Sequence, residues 1–144
     1  MDKEKTSKLF NDFPNLYRGR TEPRTQNLMG FGFSCGDGWF NLIYELSEKV
    51  SKLDPECVAV QVKEKFGGLR FYTGPTLKEV HDLISEYEKK SFKTCEDCGT
   101  TKTVKRRDGG WIRTQCNKCY KEDQDYKKEQ MKKYELEEKQ KNDK

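Results

Sequence analysis

Two cysteine pairs, Cys95-x2-Cys98 and Cys116-x2-Cys119, stand seventeen residues apart, and no other feature limits the fold of this chain so tightly. Each C-x2-C knuckle can bring two sulfurs to ~2.3 Å from one metal, and two knuckles complete a tetrahedral four-thiolate site. Gly99 follows the first pair and supplies the backbone freedom its turn needs. The spacing therefore predicts one Zn2+ bound by Cys95, Cys98, Cys116 and Cys119 in a module at about residues 94–120. An iron–sulfur centre or a redox pair is the competing use of such cysteines, but neither needs both knuckles flanked by Lys and Arg. Four thiolates leave no place for water, so the expected metal is structural and no catalytic residue is assigned.

A metal staple also answers a shortage of core. Of 144 residues, 38% are charged and 32% hydrophobic, against roughly 25% and 45–50% in an average globular domain. A chain this lean needs metal, disulfides or a partner to hold it. Its longest uncharged run, Thr25–Gly36, falls far short of the ~20 apolar residues of a membrane span. The alternating charges of MDKEKTSKLF do not resemble a secretory leader. The expectation is a protein of a reducing cytoplasm without membrane partners, which again favours metal over disulfides.

The net charge of +4 is unevenly placed. Residues 1–92 carry 14 basic and 14 acidic side chains, residues 93–119 carry 7 and 3, and residues 120–144 carry 8 and 8. The whole excess sits in the cysteine segment. A zinc ion with four thiolates contributes about −2 there, so the argument for nucleic-acid binding rests on placement of the cations rather than on their total.

Residues 1–36 show little periodicity and read as an irregular arm, with Phe10, Phe13, Leu16 and Tyr17 at a core edge and Arg18, Arg20 and Arg24 in a basic loop. From Asp37, placed to cap a first turn, Trp39, Leu42, Ile43, Leu46, Val50 and Leu53 repeat at helical spacing, predicting a helix over about 38–53. Asp54-Pro55 stops it. Val58, Val60 and Val62 then alternate with other residues, and Gly67-Gly68 predicts a tight hairpin turn in which Phe66 faces Leu69 and Lys63 faces Tyr72. That pairing puts Glu64 on the apolar face, which calls for an open edge or a bulge. Thr76 and Glu79 form a T-x-x-E capping box before the stripe Leu77, Val80, Ile84 and Tyr87, predicting a helix over about 77–91. Beyond the cysteines, 16 of 25 residues are charged, the pattern of a solvated helix that frays toward its end.

The expected fold class is α+β. It comprises the N-terminal arm at 1–36, a helix–hairpin–helix unit at 37–92, a zinc ribbon or treble-clef-like module at 93–120, and a charged helical tail at 121–144.

Lys105, Arg106, Arg107, Trp111 and Arg113 put cations and an aromatic on the stretch between the knuckles, where they can contact phosphates and stack on bases. They are the first candidate partner-binding residues. Equally, a small ribbon has a polar surface anyway and Trp111 can pack on the knuckle. Lys63, Lys65, Arg70 and Tyr72, on one side of the predicted hairpin, form the second candidate surface, with a solvated sheet face as its plain alternative. Cys35 and Cys57 read as small buried hydrophobes, and His81, one residue off an apolar stripe, as boundary packing.

CEDCGTTKTVKRRDGGWIRTQCNKCYKE resembles the zinc half of an HNH-type treble clef, with a knuckle, a hairpin and a second knuckle opening a helix. It holds no histidine, so the resemblance implies the scaffold without the nuclease chemistry. The same spacing is similar to that of the DksA/TraR zinc finger, which implies a partner of the RNA-polymerase kind. Taken together, GFSCGDGWFNLIYEL, VQVKEKFGGLRFYTG, CEDCG and GWIRTQCNKC resemble a group of short phage-encoded proteins, over roughly residues 30–120. This implies an origin in a phage and action inside an infected bacterium. The functional expectation is a non-catalytic, zinc-stabilised binding protein that modulates or inhibits a host or phage nucleic-acid machine, in defence or transcription. Direct DNA or RNA binding and an enzyme such as a nuclease are the rival classes. The sequence offers the enzyme no Ser/His or Cys/His set.

Overall fold

Helical periodicity and one alternating segment resolve into an α+β fold in the computed structural model, which describes residues 1–143. In chain order its elements are α1 (Lys3–Asp12), β1 (Phe33–Ser34), α2 (Phe40–Leu53), β2 (Ala59–Lys65), β3 (Gly68–Thr73), α3 (Lys78–Ser91), β4 (Lys105–Arg107), β5 (Arg113–Gln115) and α4 (Asn117–Asn142). One sheet has the order β1-β2-β3, and β4-β5 form a separate two-stranded ribbon. Lys144, the last residue of the predicted tail, lies outside the described residues.

The N-terminal segment departs from the irregular arm expected of it. Asp2 caps α1 by accepting from the Lys5 N–H at 2.8 Å, and α1 gives Leu9 to the core. Leu16, Tyr17, Met29 and Phe33 are buried as well. Their spacing obeys no single period because short turns separate them, so pattern reading passes them over. Tyr17 and Phe33 meet edge-to-face at 5.1 Å, and the Tyr17 hydroxyl bonds Ser47 Oγ at 2.6 Å inside the core. β1 adds a parallel strand to β2, with Phe33 opposite Val62.

α2 buries Ile43, Leu46 and Val50, with Trp39 just before it. It stops at Asp54, whose extended backbone obeys the following Pro55. Asp37 does not cap it: its carboxylate accepts from the Asp2 N–H at 2.8 Å, and a single 3-10 turn at Asp37–Trp39 leads into the helix. The capping box before α3 is likewise unformed. Thr76 Oγ1 donates to Asp54 Oδ2 at 2.6 Å instead, tying the entry of α3 to the exit of α2. Val80, Ile84 and Tyr87 are buried as expected, while Leu77 is exposed.

The hairpin turns one residue earlier than its glycine pair suggests. Lys65 pairs with Gly68, Glu64 with Leu69, Lys63 with Arg70 and Val62 with Phe71, so the two turn residues are Phe66 (φ 53°) and Gly67 (φ 84°). Two positive φ angles suit the right-handed twist of the strands. Gly68 is a strand residue; a Cβ there would stand 2.3 Å from Phe92 Cζ, so the absent side chain is what seats Phe92. Shifting the turn by one residue moves each cross-strand partner by two, so residues 61–65 and 69–72 keep their expected faces, whereas Phe66, expected on the apolar face, becomes an exposed turn residue. Glu64 does face the apolar side, and its carboxylate accepts from the Gly67 N–H at 2.8 Å. The bulge lies further down, between Ala59 and Gln61. It switches burial from Ala59 to Val62 and frees the Val60 carbonyl to accept from the Leu28 N–H at 2.9 Å.

Phe66 is the costly member of this turn, since a non-glycine residue in the left-handed region loses about 1 kcal/mol or more. Phe66→Asn, which creates the favoured Asn-Gly turn, should raise stability by roughly 0.5–1 kcal/mol. A lower thermal midpoint for that variant would contradict the register.

Candidate metal centre and binding face

The four cysteines converge as their spacing predicts. Cys95 and Cys98 lie on the first knuckle, Cys116 N-caps α4 and Cys119 lies in its first turn. Their Sγ atoms all lie within 4.8 Å of one another. Cys98 and Cys116 sulfurs are 3.8 Å apart, the edge of a tetrahedron whose metal–sulfur bonds are ~2.3 Å. The donor set and its geometry therefore fit a metal ion. Gly99 takes φ 81°, and its N–H closes the knuckle on the Cys95 carbonyl at 2.9 Å. The Cys116 thiol is held down at about 7, first by the Cys119 N–H at the helix N-terminus and then by its neighbouring thiols. This is the end of a helix where a thiolate is favoured.

The knuckle is welded to the core by a contact that sequence reading missed. The Gly38 N–H donates to the Glu96 carbonyl at 2.8 Å, the Gly36 N–H to Glu96 Oε2 at 2.9 Å, and the buried Trp39 indole to the Thr94 carbonyl at 3.0 Å. A Cβ on Gly38 would stand 2.2 Å from the Cys95 carbonyl oxygen, so only glycine lets the backbones approach. The signal was present as Gly36-x-Gly38-Trp39, two glycines before a large aromatic. Burial raises the Glu96 carboxyl's pKa, opposed by Arg113, whose guanidinium is 3.6 Å away.

The five residues assigned to the first candidate surface have divided duties. Arg113 bonds Asp97 at 2.6 Å, and Asp97 also accepts from the buried Gln115 at 2.7 Å. Arg107 donates to the Gln115 carbonyl and to Asn117 Oδ1 at 2.8 Å while lying 4.3 Å over the Tyr120 ring. These two arginines brace the module. Lys105 and Arg106 are exposed, and Trp111 is 78% exposed rather than packed on the knuckle.

The two candidate surfaces, far apart in sequence, meet. Arg106 Nε donates to the Phe66 carbonyl at 3.2 Å, and Thr114 Oγ1 donates to the Gly67 carbonyl, so the ribbon docks on the hairpin turn. Between them runs an open groove of about 450 Å³ lined by Lys63, Glu64, Lys65, Phe66, Trp111 and Ile112. Arg70 and Tyr72 lie beside it on the sheet face, Arg70 opposite Lys63 and Tyr72 opposite Gln61.

Cys35 and Cys57 are buried as expected, and burial pushes the Cys35 thiol up to about 12. His81 is exposed on α3 rather than packed at its boundary. α4 buries no side chain, and none of the described helices is long and apolar enough to cross a membrane. Comparison with protein-family models, curated proteins and solved structures gives no match.

Proposed function

We propose that this is a non-catalytic binding protein that acts on a nucleic-acid machine of the cell in which it is made, with a structural Zn2+ as its staple. Zinc suits an all-thiolate tetrahedron better than harder ions do, and four sulfurs saturate it, leaving no position for a reacting water. Its work is to hold the ribbon against the hairpin turn. One observation carries the functional reading: residues 63–66 and 110–112 line a single groove that exposes Lys65, Phe66 and Trp111, with Arg70 and Tyr72 on the neighbouring strand and Lys105 and Arg106 on the ribbon. Aromatics beside Arg and Lys are what binding faces favour.

Capture from bacterial lysate, with and without nuclease, by the parent and by a Trp111→Ala/Arg106→Glu variant of equal thermal stability tests this. The expected result is a replication, transcription or defence component retained by the parent and lost by the variant. Equal recovery by both would overturn the assignment of the face.

A further inference from the structure

The sheet side of the groove carries an unresolved electrostatic cost. Lys63 and Arg70 are cross-strand neighbours, and like charges placed so are destabilising. No carboxylate among the described residues forms an ion pair with Lys63, Lys65 or Arg70. The nearest acid in sequence, Glu64, also lines the groove, but it pairs across the strands with Leu69 and its carboxylate is engaged by the Gly67 N–H. Three cations are thus held together with none of them ion-paired to a carboxylate among the described residues.

The aromatics at the same place are also exposed at a cost. Phe66 sits at φ 53° and is 58% exposed, in a turn where Asn or Gly would be unstrained. Strain of this kind gathers at ligand clamps. Trp111 is 78% and Tyr72 43% exposed. Lys65 lies 5.6 Å from the Phe66 ring and Lys63 5.9 Å from that of Tyr72, so rings and cations alternate across the surface. A protein partner would favour contiguous apolar contact with charge at the rim. Alternating π-faces and cations instead match unpaired bases on a phosphodiester backbone.

Resting on the binding reading above, we infer that this groove takes a single strand of nucleic acid, with bases stacked on Phe66 and Trp111 and phosphates neutralised by Lys63, Lys65 and Arg70. A duplex hides its base faces and offers only the charge contacts. DNA and RNA share the chemistry used here, and separate arms of the test distinguish them.

The test is fluorescence anisotropy of labelled 12-nucleotide mixed-sequence single-stranded DNA, single-stranded RNA and the matching DNA duplex, titrated with the full-length protein at 50 and 200 mM salt. The parent should bind at least one single strand more tightly than the duplex. Trp111→Ala should weaken it about 5- to 100-fold, as for loss of one stacked base. Lys63→Gln/Arg70→Gln should flatten the slope of log K against log salt by about 0.7 per lost phosphate contact. Phe66→Asn should fold at least as well as the parent yet bind more weakly, which separates stacking from stability. Absence of single-strand binding, equal or tighter duplex binding, or stable variants that bind like the parent would each overturn the inference. If the oligonucleotides fail while a nuclease-resistant protein is still captured through Trp111, the inference falls and the binding reading stands.

Discussion

Stripping the metal, by chelation or by Cys98→Ser, should unfold residues 94–120 and loosen the core next to them. Apparent zinc-binding energies in small four-ligand modules are on the order of 10–16 kcal/mol. The ribbon has little else to stand on: β4 and β5 pair over three residues each, and Cys95 and Cys116 are its buried apolar members. The effect should reach α2, because Trp39 donates to Thr94 and Gly38 to Glu96. In a Trp111→Phe background the remaining tryptophan is Trp39, which is fully buried. Its emission should therefore move to the red on metal loss. Retention of native amide protection across both knuckles after complete metal removal would contradict a structural role.

Gly38→Ala should be the most destabilising single-methyl change in the chain's glycines flanking the knuckle. The new Cβ would stand 2.2 Å from the Cys95 carbonyl oxygen and 2.6 Å from that of Glu96, and backbone on both sides must yield. Overpacking of this kind costs about 1–3 kcal/mol or more, and the 2.8 Å bond from the Gly38 N–H to Glu96 is strained with it. Gly109→Ala is the control: nothing lies within 4 Å of its added methyl, so the denaturation midpoint should barely move. Comparable midpoints for the two variants would mean that the knuckle does not sit against the start of α2.

What the chain discloses on inspection follows from how local each cause is. The four-cysteine cluster was legible because ligand spacing is a local constraint, and the helices around Ile43–Val50 and Val80–Tyr87 because one buried stripe repeats at helical period. The faces of residues 61–65 and 69–72 were legible for the same reason, since alternation survives a shift of the turn, while the bulge moved burial from Val58 and Val60 onto Ala59. The register of the hairpin was not. Gly67-Gly68 looks like the turn, but Gly68 lies in β3 with Phe92 packed where its side chain would stand, and the turn falls on Phe66-Gly67, an arrangement without a local mark. The caps failed similarly, with Asp37 and Thr76 engaged by distant partners in place of their own helix ends. α1 was hidden because it gives the core only Leu9 as a fully buried side chain. The union of residues 63–72 with 105–113 depends on Thr114 reaching the turn carbonyl, which no pattern within either stretch announces.

Zinc-edge X-ray absorption on the protein as purified, combined with metal analysis, bears most directly on the claim that the metal is a staple and the protein a binder. The account predicts one zinc per chain with four sulfur ligands at ~2.3 Å and no lighter scatterer in the first shell. A water or hydroxide oxygen in one of the four positions would mean an open, reactive metal and would contradict it.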